Sequence, residues 1–169
     1  MTFLVILNGP AGGGKTTISK LIWKSIPRTA LVSLDELNWL VSDYKADTAH
    51  LDLARNVGVS MTEIYLDNQK NVVVEKAFCK YQYITPFVKL AEERNSFPLI
   101  YNIEAPLDTI LARVASRPLN ARGERISQEY ARKIYYEYQS NKFQVTQTFD
   151  TSQLSSDQIV QRIIGDIVK

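Results

Sequence analysis

A chain of 169 residues with 45% hydrophobic and 22% charged side chains is long enough to bury a core without metal or disulfide support. Its formal charge of +2, from 20 basic and 18 acidic residues, excludes the pervasive basicity of a protein that coats nucleic acid or an anionic membrane. Cys79 is the only cysteine, which excludes an internal disulfide and a multi-cysteine metal site and suits a reducing, cytoplasmic setting.

The opening MTFLVIL is apolar for five residues with no basic start before it. That is too short for a signal peptide or a membrane span, and it predicts a buried strand over Phe3–Leu7. Further short apolar runs predict strands at Ala30–Ser33, Val72–Glu75, Leu99–Ile103 and Val145–Phe149. Between them, amphipathic stretches predict helices beginning near Lys15, Thr48, Tyr81, Pro106, Ser127 and Ser155. Pro106 suits a first helical position and Ser155 an N-cap. In the last helix Ile159, Ile163 and Ile167 recur every four residues, a face made to pack on a sheet. This alternation predicts an α/β protein with a parallel sheet. No repeat or low-complexity linker divides the chain, so residues 1–169 are expected to form one domain.

Directly after the first strand, and opening the first helix, comes GPAGGGKTT, with four of the seven glycines of the chain. Gly9 to Thr16 fits G-x-x-x-x-G-K-[ST] in the strand–loop–helix context that its mechanism needs. In that motif the backbone N–H groups of Gly9, Pro10, Ala11, Gly12, Gly13, Gly14, Lys15, Thr16 and Thr17, proline excepted, are available to surround phosphate oxygens. The following helix adds its positive end. Lys15 is then expected to reach the β and γ phosphates of ATP, and the Thr16 hydroxyl to ligate Mg2+. A guanine-reading NKxD is absent; NKFQ at Asn141–Gln144 lacks the aspartate, and no DxxG switch is present. A small phosphotransferase is the economical alternative.

LNGPAGGGKTT together with VSLDEL, NVVVE, RPLNARGER and FDTS resembles the small P-loop kinases, a group spanning AAA/zeta-toxin and polynucleotide-kinase-like members and shikimate- and gluconate-kinase-like ones. The resemblance implies a three-layer P-loop NTPase fold: five parallel strands in the order 2-3-1-4-5, helices on both faces and an arginine-bearing lid at about residues 117–126. It also implies ATP and Mg2+ as the donor system. Asp35 falls beyond the second strand, where open parallel sheets bind ligands. By resemblance it orients the attacking hydroxyl or accepts its proton; otherwise it is the N-cap of a helix starting near Glu36. Shikimate kinases show DxD where this chain has Ser33-Leu34-Asp35, a departure from that assignment. By similarity Arg122 is the lid arginine on the transferring phosphate, with Arg117 as the alternative, and Arg113 lies against adenine. Glu75, ending its strand, either stands near the metal or faces solvent. Thr151 and Ser152 border adenine by resemblance.

The acceptor is not named by any motif. The segment Glu36–Lys70, which holds the acceptor in this architecture, carries six acids and three bases. That balance favours a neutral or cationic small-molecule hydroxyl compound over a nucleic acid or nucleotide acceptor, the alternative being a polynucleotide 5′-hydroxyl or nucleotide kinase. An ATP-binding regulatory module without efficient transfer is the remaining alternative.

Overall fold

The computed structural model describes residues 2–45, 47–119 and 125–168. The chain runs β1 (Phe3–Asn8), α1 (Lys15–Ser25), β2 (Thr29–Ser33), α2 (Leu34–Trp39), α3 (Thr48–Asp67), β3 (Asn71–Lys76), α4 (Thr85–Glu93), β4 (Phe97–Glu104), α5 (Leu107–Ser116), α6 (Gln128–Ser140), β5 (Gln147–Asp150) and α7 (Ser156–Ile167). All strand pairs are parallel, and the order across the sheet is β2-β3-β1-β4-β5. The expected five-stranded fold is therefore the observed one.

Burial on both faces explains why β1 reads as an unbroken apolar run. Because side chains alternate across a strand, Phe3, Val5 and Leu7 join Ile18 and Ile22 of α1 and Ile159 and Ile163 of α7 on one face. Leu4 and Ile6 turn to the other face, with Leu34, Leu66, Ile84, Phe87 and Ala91. The periodic isoleucines of α7 thus serve the face predicted for them, and Ser155 caps that helix in a capping box with Gln158. A smaller cluster, Ala105, Ile110, Leu111, Val114 and Ala131, joins α5 to α6.

Several predicted boundaries move; β4 starts two residues before Leu99, and Pro106 is the N-cap of α5 rather than its first helical residue. The helix expected at Tyr81 is a single 3-10 turn, Tyr81–Tyr83, and α4 starts afterwards with Pro86 in its first turn. Proline favours that position because its missing N–H has no partner to lose there. The last strand starts at Gln147 rather than Val145. Thr146 still reaches β4, its N–H donating to the Ile100 carbonyl at 2.8 Å and its hydroxyl accepting from the Ile100 N–H at 3.0 Å. Tyr138 is the member of the KIYYEYQS run that is fully buried, its hydroxyl donating to Glu104. Cys79 is buried, which pushes its thiol up to about 11. Among the described residues no helix is long and apolar enough to cross a membrane.

Candidate active site

In a parallel sheet all strand ends lie at one edge, so the loops after β1, β2, β3 and β5 converge there. The loop of residues 9–14 leaves β1 and turns beneath the carbonyl of Ile103 in β4. Gly9 has φ +144°, and a Cβ on it would stand 2.1 Å from the Ile103 oxygen. Gly14 is the N-cap of α1 in the left-handed region, φ 104°, with no side-chain cap. These two positions need glycine for different reasons: close approach to β4 at the first, conformation at the second. The loop then feeds into α1 with Lys15 buried and Thr16 half-buried. The Lys15 ammonium donates to the carbonyls of Gly9 and Pro10, both at 2.9 Å. Burial pulls its pKa below the ordinary lysine value, and the carboxylates of Glu75 and Asp35 offset part of that.

Strand register brings Ser33 of β2 opposite Glu75 of β3, which in turn lies opposite Leu7 of β1. Glu75 is only 2% exposed, so it does not face solvent. Its Oε1 accepts the Ser33 hydroxyl at 2.7 Å, and the Thr16 hydroxyl lies 3.2 Å from both carboxylate oxygens. A buried carboxylate with two hydroxyls forms a hard oxygen donor set. That fits Mg2+, which takes one or two protein groups and completes its shell with water and phosphate oxygens. Ser33 escaped sequence reading. Its partner is set by sheet register, which no single-strand pattern reveals.

Asp35 is not the N-cap of α2; Ser33 occupies that position, and Asp35 lies in the first turn. Its carboxylate accepts a hydrogen bond from the Lys76 ammonium at the end of β3. Burial among the pocket walls pushes the Asp35 pKa up. The Lys76 ammonium, with Lys15 and Arg117 behind it, outweighs this and holds the carboxyl below its ordinary value. The side chain still keeps 54% of its surface open, enough for a hydroxyl to approach. Lys76, at the end of β3, carries no motif of its own. It is mostly buried, and Asp35 overrides the effect of burial to hold its pKa above the usual lysine value.

Arg113 of α5 forks onto Thr151, donating to its hydroxyl at 2.7 Å and its carbonyl at 3.0 Å, and reaches the Gly12 carbonyl at 3.3 Å. The Thr151 hydroxyl lies 2.9 Å from the Gly13 carbonyl. Arg113 therefore ties the glycine loop to the turn after β5. Ser152 hydrogen-bonds to the Asp150 carboxylate through both its N–H and its hydroxyl, at 2.8 and 2.7 Å, and is exposed. Arg117, also exposed, closes α5 as its C-cap. Arg122 lies outside the described residues.

Several of the acids between β2 and β3 are tied to partners within the chain. Glu63 and Asp67 bind Arg94, Asp52 pairs with Arg55, and Asp47 caps α3 through the His50 N–H at 3.0 Å. Glu63 and Asp67 belong to the last two turns of α3, which lead into the start of β3 and so lie far from the glycine loop. The His50 ring bonds to Asp47 and packs edge-on against Tyr44.

Residues 4–139 match the family model described as an AAA domain. Solved structures of similar fold include the tunicamycin resistance protein of Deinococcus radiodurans, at 15% identity and TM-score 0.68 over 99% of this chain and 96% of that one. A sugar kinase from Janibacter sp. HTCC2649 gives 13% identity and TM-score 0.73 over 98% and 94%. The Mycobacterium tuberculosis APS kinase, bound to AMPPNP and APS, gives 13% and 0.70 over 99% and 98%. At these identities the likeness is one of fold. No curated protein matches the sequence.

Proposed function

From the premise that the chain belongs to this AAA domain family and has a P-loop kinase-like fold, we propose that it is an ATP- and Mg2+-dependent kinase phosphorylating a hydroxyl of a small molecule. The observation that carries the reading is the convergence, at one sheet edge, of the glycine loop with Lys15, the Thr16–Glu75–Ser33 oxygen cluster and the solvent-open carboxylate of Asp35. A nucleotide-binding module without transfer would need the first two. It would have no use for a carboxylate held ionised beside them.

Phosphoryl transfer asks the protein for position and charge more than for covalent chemistry. Loop N–H groups and the start of α1 hold the ATP phosphates, and Lys15 exchanges loop carbonyls for outer phosphate oxygens. Thr16 and Glu75 would hold Mg2+, which supplies charge neutralisation along the β and γ phosphates. The acceptor oxygen attacks the γ phosphorus as the bond to the β,γ-bridging oxygen breaks, and ADP leaves with that electron pair. The hydroxyl proton passes to Asp35 and from there to solvent. Because Lys76 keeps Asp35 weakly basic, this transfer comes late and the main work of the carboxylate is orientation. Arg117 or Arg122 neutralises the moving phosphoryl group, and Arg113, through Thr151, fixes the rim where adenine would lie. The setting is cytoplasmic, and residues 1–169 act as one domain.

Thermal shift with MgATP is the first experiment. Stabilisation is expected for the wild type and its loss for Lys15→Ala; no shift at millimolar nucleotide would remove the reading. An acceptor screen with labelled ATP follows, including oligonucleotide 5′-hydroxyl ends. Strongly salt-sensitive phosphorylation of those ends would favour a polynucleotide kinase instead.

A further inference from the structure

The floor beside the glycine loop carries two opposite charges joined by a hydrogen bond, Asp35 from α2 and Lys76 from β3. That bond uses one of the three ammonium protons and one carboxylate oxygen, Oδ1. An acceptor and a donor are thus presented about one hydrogen bond apart. Two hydroxyls on neighbouring ring carbons present the complementary pattern at about the same spacing, roughly 2.8 Å between oxygens. An isolated alcohol satisfies only one of the two groups.

The walls agree with this chemistry. Tyr44, between α2 and α3, and Tyr130, in the first turn of α6, lie within electrostatic reach of both charges, and burial pushes both phenols up. Tyr44 meets Trp39 edge-on with ring centroids 5.2 Å apart, giving an aromatic margin on which the C–H face of a saturated ring can pack. The charges balance as well. Among the described residues whose charge reaches Asp35, Lys15 serves the glycine loop and Lys76 is neutralised by Asp35, leaving Arg117, which the mechanism assigns to the moving phosphoryl group rather than to an anionic acceptor.

We infer that the acceptor is a neutral ring bearing a vicinal diol, of the sugar, cyclitol or ribonucleoside class. One hydroxyl donates to Asp35 and is phosphorylated, and its neighbour accepts a hydrogen bond from Lys76. This rests on the kinase reading above and makes Lys76 the residue that sets acceptor class.

The experiment uses the full chain with labelled MgATP and a panel of sugars, cyclitols and ribonucleosides. Each is paired with the analogue in which the hydroxyl next to the phosphorylated one is replaced by hydrogen, and simple mono-alcohols are added. Wild-type kcat/KM is expected to fall about 10- to 100-fold on each such replacement, the scale of one hydrogen bond to a charged group. Lys76→Met is expected to raise the KM of the diol by a similar factor and to shrink the wild-type difference between the diol and its deoxy analogue towards none, with the KM for ATP changed less than that of the diol. Equal wild-type rates on diols, deoxy analogues and mono-alcohols would overturn the inference while leaving a kinase. Transfer to no panel member would also overturn the inference, and would overturn the kinase reading with it only where the MgATP-dependent thermal shift is absent as well. The wild-type comparison needs no variant, so it decides the matter even where Lys76→Met fails to fold.

Discussion

Gly9→Ala and Gly165→Ala are the same chemical change with opposite expected signs. At Gly9 the new Cβ would lie 2.1 Å from the Ile103 carbonyl oxygen, more than 1 Å inside contact, and φ is +144°. Forcing a side chain into such backbone costs about 1–3 kcal/mol. Overpacking against a strand that cannot yield costs about 1–3 kcal/mol more. At Gly165, within α7, a Cβ meets nothing within 4 Å, and alanine gains about 0.5–1 kcal/mol of helix preference. For a domain of this size each kcal/mol moves Tm by about 2–4 °C. Thermal melts should therefore show Gly9→Ala lowered by about 5–20 °C and Gly165→Ala raised by about 1–4 °C. The nucleotide arm of the assay separates function from stability. Gly9→Ala should also lose its MgATP-dependent shift, because Gly13 turns on the same Ile103 oxygen, while Gly165→Ala should keep it. A Gly9→Ala protein that melts within 2 °C of the wild type would refute the loop-against-β4 reasoning.

Asp35→Asn should leave nucleotide affinity intact and lower turnover by about 10² or more; a mutant with full turnover and only a lowered Tm would reduce Asp35 to an ion-pair partner. Because Asp35 is depressed and Lys76 raised, their pair persists from below the ordinary carboxylate pKa, about 4, to beyond the ordinary lysine value, about 10. It breaks as pH falls through the Asp35 value or rises through that of Lys76. The kcat profile should then show no Asp35 limb between pH 5 and 9, and an acid limb moving upward in Lys76→Met would confirm which charge holds the carboxyl down. Glu75→Gln should raise the Mg2+ concentration for half-maximal activity by about 10-fold or more, as read from a metal titration, whereas an unchanged titration would place the metal elsewhere. Arg122→Lys should damage kcat more than the KM for ATP, through loss of the forked contact. The same split in Arg117→Lys instead would identify Arg117 as the lid arginine.

The loop and its flanks were legible because the requirement is local. A strand, four glycines, a lysine and a hydroxyl must follow one another in sequence, and each has its own chemical reason. Strand order entered through resemblance, and the parallel register then determined what local patterns could not. Ser33 meets Glu75 across 42 positions of sequence, and Lys76 meets Asp35 across 41. Glu75 read equally well as a solvent-facing strand end until the neighbouring strand covered it. Counting charge between β2 and β3 leaves position out for a related reason. A 20-residue helix carries its two ends far apart, so Glu63 and Asp67 cannot act where Asp35 does.

The central claim is γ-phosphate transfer to carbon-bound oxygen, and its most direct measurement is the fate of label from γ-labelled MgATP. The wild type, incubated with the diol panel, should place label in an acid-stable phosphomonoester, and Lys15→Ala and Asp35→Asn should lower that product together. Label recovered only as inorganic phosphate, at a rate that no acceptor changes, would contradict the account.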